Sequence, residues 1–343
     1  MIDLVYICSS GHSGSTLLDR MIGSHPSALA AGEVKRLPKN IALNTKCSCG
    51  EHIRSCPFWV PVVEQLGKPL GVDLWQNPYA LELGLFRSTH EVDRSRQTKW
   101  YLLGRTVYAG WLDFLHSAGI DLSTSVLARR YQKWIAEHAR VHDAMRLQSG
   151  SSLLADSSKD LKAAVGLYRA RPETSRIILL SRDGRGVMAS NLRSGAGIKN
   201  SLNSWTKYYD RALRWLDRDV RPEHVLRVYY ENLVSKPEAE IRRVYEFLGL
   251  PAVAIGGEFS DENSHILAGN KNTLKTASIR SDERWRTELS ANQLAYFGSH
   301  GAKTMAGLGY PFPGADQGPR KPGAGLLTET ASGGDERGGH AGN

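Results

Sequence analysis

The chain has 343 residues, of which 41% are hydrophobic and 23% are charged, and its formal net charge is +9. These proportions are ordinary for a globular protein, and no apolar run is long enough to cross a bilayer, so we expect a cytoplasmic protein without a membrane span. A basic chain favours anionic partners, and we expect a polyanionic small molecule rather than nucleic acid, because no Lys/Arg run or RNA-binding aromatic signature occurs.

The first elements are predicted to be a strand, a loop and a helix. Residues 4–8 form a short β-branched and aromatic run, and small flexible residues follow from 9 to 15. Apolar residues then recur at helical spacing, at Leu17, Leu18, Met21 and Ile22. The N–H groups of such a loop and of the following helix start attract anions, so this unit predicts a phosphate site. An ordinary Ser- and Gly-rich turn is the alternative.

Three cysteines and a histidine follow within ten residues, at Cys47, Cys49, His52 and Cys56. Cys-x-Cys with six residues before the next cysteine is not a standard zinc spacing. A disulfide or three free thiols fit at least as well. No metal is assigned, and the three alternatives stay open.

The segment from about residue 60 to 150 is predicted to be helical. Its clearest parts are residues 100–116 and 126–145, where aromatic and aliphatic side chains recur at helical intervals. We interpret these stripes as core packing. An insertion of this size at the carboxyl edge of a sheet usually shapes a substrate pocket, so we expect it to bind the acceptor.

Short apolar strands and helices alternate in the rest of the chain. Strands are predicted at residues 153–156, 176–180 and 225–229, each followed by a helical pattern. This alternation predicts an α/β fold, with a P-loop-like, mostly parallel sheet flanked by helices and carrying the helical insertion. We expect residues 1–313 to form one domain and the Gly-rich residues 314–343 to be disordered.

Residues 11–16, Gly-His-Ser-Gly-Ser-Thr, resemble a shortened nucleotide-binding P-loop. The lysine that follows the second glycine in nucleoside-triphosphate sites is absent. Such a site would also need a magnesium-holding carboxylate at another strand end, where Asp156 is available. The loop therefore leaves two alternative functions open, a P-loop small-molecule kinase and a non-catalytic nucleotide-binding protein.

Taken together, several strand ends resemble the sulfotransferases that use 3′-phosphoadenosine-5′-phosphosulfate (PAPS), with the closest pattern in the tyrosylprotein and bacterial types. His25-Pro26, Gly32-Glu33 and the run 228–233 match that pattern in order. By resemblance, the residues that bind the 5′-phosphosulfate are Ser13, Gly14, Ser15 and Thr16. Those that bind the 3′-phosphate end of the nucleotide are Arg182, Ser190 and Tyr230.

The resemblance implies in-line transfer of a sulfuryl group from PAPS to a hydroxyl acceptor, with Glu33 as general base and no metal required. By composition alone, Glu33 would instead be a salt-bridged surface residue beside Lys35 and Arg36. Lys159 matches a basic residue on the sulfonate side of the donor; its alternative is a helix-start lysine. The acceptor could be a small molecule, a glycan or a peptide, and the oligomeric state is not predicted.

His12 departs from the family pattern, which normally has Lys or Arg before the Ser-Gly pair. A histidine protonated by the adjacent phosphosulfate would still stabilise the leaving oxygen, and we assign it to the catalytic group. Activity would then fall as pH rises above the pKa of His12. The alternative is a loop residue in a slow or degenerate enzyme.

Overall fold

A computed structural model describes residues 1–84, 99–253, 264–267, 279 and 281–311 of the chain. Its centre is a five-stranded sheet in the order β2-β3-β1-β4-β5, and all neighbouring strands are parallel. The strands are β1 (Leu4–Cys8), β2 (Ala28–Ala30), β3 (Leu153–Asp156), β4 (Ser175–Ser181) and β5 (Val225–Tyr229). The predicted α/β class, a parallel sheet flanked by helices, is confirmed.

Helices connect the strands and cover both faces of the sheet. In chain order they are α1 (Ser15–Gly23), α2 (Leu37–Ala42), α3 (Trp59–Gly67), α4 (Lys99–Ser117), α5 (Arg129–Ser149), α6 (Leu161–Ala170), α7 (Gly184–Arg193), α8 (Ile198–Asp219), α9 (Tyr230–Ser235), α10 (Pro237–Phe247), α11 (Trp285–Glu288) and α12 (Ala291–Leu308). Short 3-10 turns, such as Val34–Arg36 after β2, complete the connections.

The sheet separates two cores because its strands alternate their side chains between the two faces. On one face Tyr6 and Cys8 of β1 pack with α5, α6 and α8, and on the other Val5 and Ile7 pack with α1 and α10. Strands buried on both faces read as continuous apolar runs, which is why β1, β3 and β4 were visible in the sequence.

Strand β2 was not predicted. It has only three residues, Ala28–Ala30, and lacks a β-branched side chain. Pairing with β3, in which Leu29 lies opposite Leu154, defines it instead. The strand matters for the site because its carboxyl end leads directly to Glu33.

Helices α3, α4 and α5 lie between β2 and β3 in the chain, as the predicted helical insertion requires. The division into one domain and a tail stays a prediction, since residues 314–343 lie outside the described part of the chain. Among the described residues, no helix combines the length and apolar character that crossing a bilayer requires.

Candidate active site

The carboxyl ends of the five parallel strands meet along one edge of the sheet, and the predicted site residues follow these ends. Glu33 comes after β2, Lys159 after β3, Arg182 after β4 and Tyr230 after β5. The loop of residues 9–14 follows β1, the central strand. Neighbouring strands are about 4.8 Å apart, so the loops after β3 and β4 start about 10 Å from each other, on either side of the central loop.

The central loop enters α1 through Gly14, which caps the helix in a left-handed conformation with φ 91°. A Cβ atom on Gly14 would lie 2.6 Å from Cδ2 of Tyr230, so only glycine fits here. Ser15 and Thr16 form the first turn of the helix and are buried. The first N–H groups of a helix have no intrahelical partner, so this turn can bind an anion.

Ser13, the first residue of the predicted phosphate motif, turns its hydroxyl into the protein. Its Oγ lies 2.8 Å from Ser10 Oγ and 3.1 Å from the hydroxyl of Tyr209. That tyrosine, on α8, also donates to the main-chain oxygen of Leu180 on β4, at 2.8 Å. Tyr209 therefore ties the loop to the neighbouring strand. From the sequence alone, Tyr209 could be recognised only as a core position of a helix and not as a residue that supports the site.

Glu33 and Lys159 meet at the edge formed by β2 and β3. Lys159 Nζ donates to Glu33 Oε1 at 2.7 Å, and Arg36 Nε lies 2.6 Å from Glu33 Oε2. The Glu33 side chain is only 11% exposed. Glu33 is thus ion-paired, as the alternative interpretation had it, but it is mostly buried and is paired to Lys159, another predicted catalytic residue, as well as to Arg36.

The backbone beside this pair is held by Asp19 of α1, which sequence reasoning missed. Asp19 Oδ2 accepts hydrogen bonds from the Gly32 N–H and the Ser157 hydroxyl, both at 2.9 Å. Burial raises the pKa of Asp19 to about 8, against the effect of these hydrogen bonds. Lys159 has φ 63°, a conformation uncommon outside glycine. The available signal in the sequence was an acidic residue between the apolar pairs Leu17-Leu18 and Met21-Ile22.

Arg182 joins three parts of the opposite side of the site. Its Nη1 donates to the His12 main-chain oxygen at 3.0 Å, and its Nη2 donates to the Asp282 main-chain oxygen at 2.7 Å. The guanidinium carbon lies 4.4 Å from the centroid of the Tyr230 ring, in a cation–π contact. Arg182 is 6% exposed. These contacts fix the side chain beside the central loop.

Ser190 lies on the same face of α7 as the Arg182 side chain. A Cβ atom on Gly186 would lie 3.0 Å from Arg182 Nε, so the guanidinium covers the first turn of the helix. Ser190 follows four residues later, which places it one turn further along that face. The spacing of the predicted 3′-phosphate motif is therefore compatible with one anion reaching both residues.

His12 lies exposed at the tip of the central loop, with φ 62°. Partial desolvation of its ring, reinforced by the charges of Arg182, Lys159 and Arg193, lowers the pKa of His12. The positive charge expected of the ring is therefore disfavoured in the free protein, and a bound anion would favour it.

Asp156, the carboxylate that a magnesium-dependent kinase would need, is fully buried. Its Oδ2 lies 2.9 Å from His142 Nε2, and its Oδ1 accepts a hydrogen bond from the Ser158 N–H at 2.7 Å. The two oxygens are thus committed to internal contacts, which disfavours the kinase alternative.

A family model described as the sulfotransferase family matches residues 87–254. Carbohydrate sulfotransferase 1 of Mus musculus is 23% identical over 180 residues, which cover 45% of this chain and 43% of that protein. Protein-tyrosine sulfotransferase A of Caenorhabditis elegans is 33% identical over 98 residues, 26% of each chain. Over these parts of its length the chain is therefore similar to sulfotransferases. The match spans less than half the length of these two relatives.

Among solved structures, the sulfotransferase domain from the curacin biosynthetic pathway matches with a TM-score of 0.47 and 18% identity, covering 91% of this chain and 99% of that one. A sulfotransferase from Alicyclobacillus acidocaldarius matches with a TM-score of 0.41 and 14% identity, covering 91% and 98%. Likeness at this level assigns neither a substrate nor an activity.

Proposed function

We propose that the chain transfers the sulfuryl group of PAPS to a hydroxyl acceptor by in-line displacement. One observation carries the proposal. A carboxylate–ammonium pair, Glu33 with Lys159, and a buried guanidinium, Arg182, lie on opposite sides of an anion-binding loop at one edge of the sheet. Similarity to sulfotransferases over part of the chain supports the same reaction.

The donor fits the residues on the donor side of this edge. When bound, it supplies the sulfuryl group and leaves as a nucleotide with phosphates at its 3′ and 5′ positions, so it needs two anion sites. Gly14 and the N-terminus of the nine-residue α1 suit the 5′ end, because a Cβ atom is excluded at Gly14 and the first main-chain N–H groups of a helix attract an anion. Arg182 and Ser190 suit the 3′ end, with Tyr230 packed on the guanidinium.

In this reaction Glu33 accepts the proton of the attacking acceptor hydroxyl. Lys159, 2.7 Å from the carboxylate, orients it and neutralises negative charge on the sulfuryl oxygens. His12, at the tip of the central loop, takes up a proton as the donor binds and stabilises the leaving oxygen.

For the acceptor, we propose a carbohydrate hydroxyl or a tyrosine hydroxyl of a protein, on the strength of the relatives' names. Both classes present a hydroxyl on a larger molecule. The helices between β2 and β3 adjoin the chain segments that carry Glu33 and Lys159, which favours this side for the acceptor.

Calorimetry with two nucleotides tests the donor assignment. We expect 3′-phosphoadenosine-5′-phosphate to bind the protein and ATP with magnesium to bind far more weakly. Tight binding of ATP with magnesium, without binding of the 3′-phosphorylated nucleotide, would reject PAPS as donor and restore the kinase alternative.

Turnover with labelled PAPS and a panel of carbohydrate and tyrosine acceptors tests the base. Glu33→Gln should lower kcat roughly 100- to 10,000-fold while nucleotide affinity stays nearly unchanged. Arg36→Gln is the matched control, because it removes the other ion pair of Glu33 and leaves the carboxylate in place. Equal losses in both variants would mean that the ion pair, not proton transfer, matters.

A further inference from the structure

The three cysteines that follow α2 converge on one point because the chain between them folds back on itself. The Cys47 N–H donates to the Glu51 oxygen at 2.7 Å, and the Gly50 N–H donates to the Cys47 oxygen at 3.0 Å. Gly50 makes this turn with φ 97°, which favours glycine. Cys56 then lies just before α3, and its sulfur faces the turn, 3.6 Å from Cys49 Sγ.

A histidine from a distant part of the chain completes the group. His265 lies in a segment held by hydrogen bonds between Ser48 and Ile266: the Ser48 N–H donates to the Ile266 oxygen at 3.0 Å, and the Ile266 N–H donates to Ser48 Oγ at 2.9 Å. The Trp59 indole donates to the His265 main-chain oxygen at 2.8 Å, and the Phe58 ring stacks on the imidazole at 4.6 Å. The imidazole is therefore fixed in position and orientation.

The four side-chain atoms match the dimensions of a tetrahedral metal site. His265 Nδ1 lies 3.4 Å from Cys56 Sγ and 3.7 Å from Cys47 Sγ, and all four atoms lie within 4.8 Å of one another. Tetrahedral zinc with Zn–S bonds of about 2.3 Å and Zn–N bonds of about 2.0 Å separates two sulfurs by about 3.8 Å, and sulfur from nitrogen by about 3.6 Å. We propose that Cys47, Cys49, Cys56 and His265 bind one structural zinc ion.

The arrangement favours zinc over the two other interpretations of the cysteines. The three cysteines form no disulfide with one another in this structure. A disulfide would join only two of the sulfurs and would not account for the position of His265 Nδ1 beside them. Cys₃His is a standard closed ligand set of structural zinc, although the ligand spacing along this chain is unusual. The fourth ligand is separated from the cysteines by more than two hundred residues, so no local motif reveals it.

His52, the histidine that lies among the cysteines in sequence, is not part of the group. Its Nδ1 lies 2.7 Å from the Asn44 main-chain oxygen instead. The two histidines therefore provide a matched pair of variants, because one is near the cysteines in sequence and the other in space.

The site would join two segments of the chain that each precede or follow residues of the candidate active site in the sequence. The cysteine turn follows α2, which begins four residues after Glu33, and the His265 segment precedes Asp282, which contacts Arg182. A metal bound by the folded chain stabilises it by mass action. We expect zinc to stabilise the fold and to take no part in the reaction, so its test does not depend on the proposed function.

The test measures metal in the reduced protein purified without chelators. We expect elemental analysis and native mass spectrometry to find one zinc per chain, and a chelator to lower the thermal midpoint until zinc, but not magnesium, is restored. His265→Ala and Cys49→Ser should weaken zinc binding at least about tenfold, whereas His52→Ala should retain it.

Three results would overturn the proposal: no zinc bound by the reduced wild-type chain even after titration, a disulfide among the three cysteines in the protein as isolated, or equal zinc loss in His52→Ala and His265→Ala. The wild-type measurements decide the matter even where a ligand variant fails to fold.

Discussion

Replacing Gly14 by alanine should strongly destabilise the protein, for two reasons that can be measured separately. The backbone there has φ 91°, and a left-handed conformation costs a non-glycine residue about 1–2 kcal/mol. The new Cβ would also lie 2.6 Å from Cδ2 of Tyr230, and forced repacking of this kind costs about 1–3 kcal/mol. Tyr230 cannot turn away freely because Arg182 packs on its ring at 4.4 Å. We expect a loss of about 2–5 kcal/mol in the free energy of unfolding.

Two further variants separate these contributions in urea unfolding followed by circular dichroism. Gly11→Ala, in the same loop, should change the free energy of unfolding by less than about 0.5 kcal/mol, since no heavy atom lies within 4 Å of the position that the new Cβ would take. In a Tyr230→Ala background, Gly14→Ala should cost only the conformational part of the free energy. The difference between its costs in the two backgrounds, which is the coupling energy with Tyr230, should be about 1–3 kcal/mol. The reasoning is refuted if Gly14→Ala is as mild as Gly11→Ala, or equally costly in both backgrounds.

Charges around the site lead to three other expected outcomes. The pKa of His12 is lowered in the free protein, so binding of 3′-phosphoadenosine-5′-phosphate should be accompanied by uptake of a proton. The affinity should therefore fall as pH rises through the pKa of His12 in the complex. Calorimetry in buffers of different ionisation enthalpy measures the uptake, and His12→Lys should remove it. Asp19 has a folded-state pKa of about 8 against about 3.9 unfolded, so the folded chain retains a proton that the unfolded chain releases, and stability should fall between about pH 4 and pH 8. Asp19→Asn should flatten that slope in urea unfolding, and an unchanged slope would contradict the assignment. The Asp282 carboxylate lies 3.3 Å from Arg182 Nη2 and opposes an incoming phosphate, so Asp282→Asn should tighten nucleotide binding roughly 3- to 10-fold by calorimetry; weaker binding would contradict this.

The fold was largely predictable because its strands are short, apolar and separated by amphipathic helices. Strands β1, β3 and β5 lie where the sequence indicated, and β4 is one residue longer at each end than predicted. Strand β2 was missed because three residues, Ala-Leu-Ala, carry no periodic signal, and tertiary pairing alone defines it. The strand order also could not be derived, since it depends on which crossovers pack.

The site residues could be predicted from the sequence because they follow strand ends. The contacts that their side chains make could not be predicted. Nothing local to Glu33 indicates that it pairs with a lysine 126 residues away rather than only with Arg36. Nothing local to Ser13, predicted to bind the 5′-phosphosulfate, indicates that its hydroxyl contacts Tyr209 on a distant helix. Long-range contacts of this kind depend on the complete fold.

Two residues that the sequence did not point to, Asp19 and Tyr209, support different parts of the site. Asp19, from α1, holds the backbone beside Glu33 and Lys159 through Gly32 and Ser157, so it supports the side proposed for the acceptor. Tyr209, from α8, joins the central loop to β4 and supports the side proposed for the donor. Each is a buried polar side chain on a helix packed against one face of the sheet, and the two helices lie on opposite faces. The backbone beside Glu33 and the central loop are therefore held from opposite faces of the sheet, and in the proposed reaction the start of α1 and the loop before it serve both sides of the site.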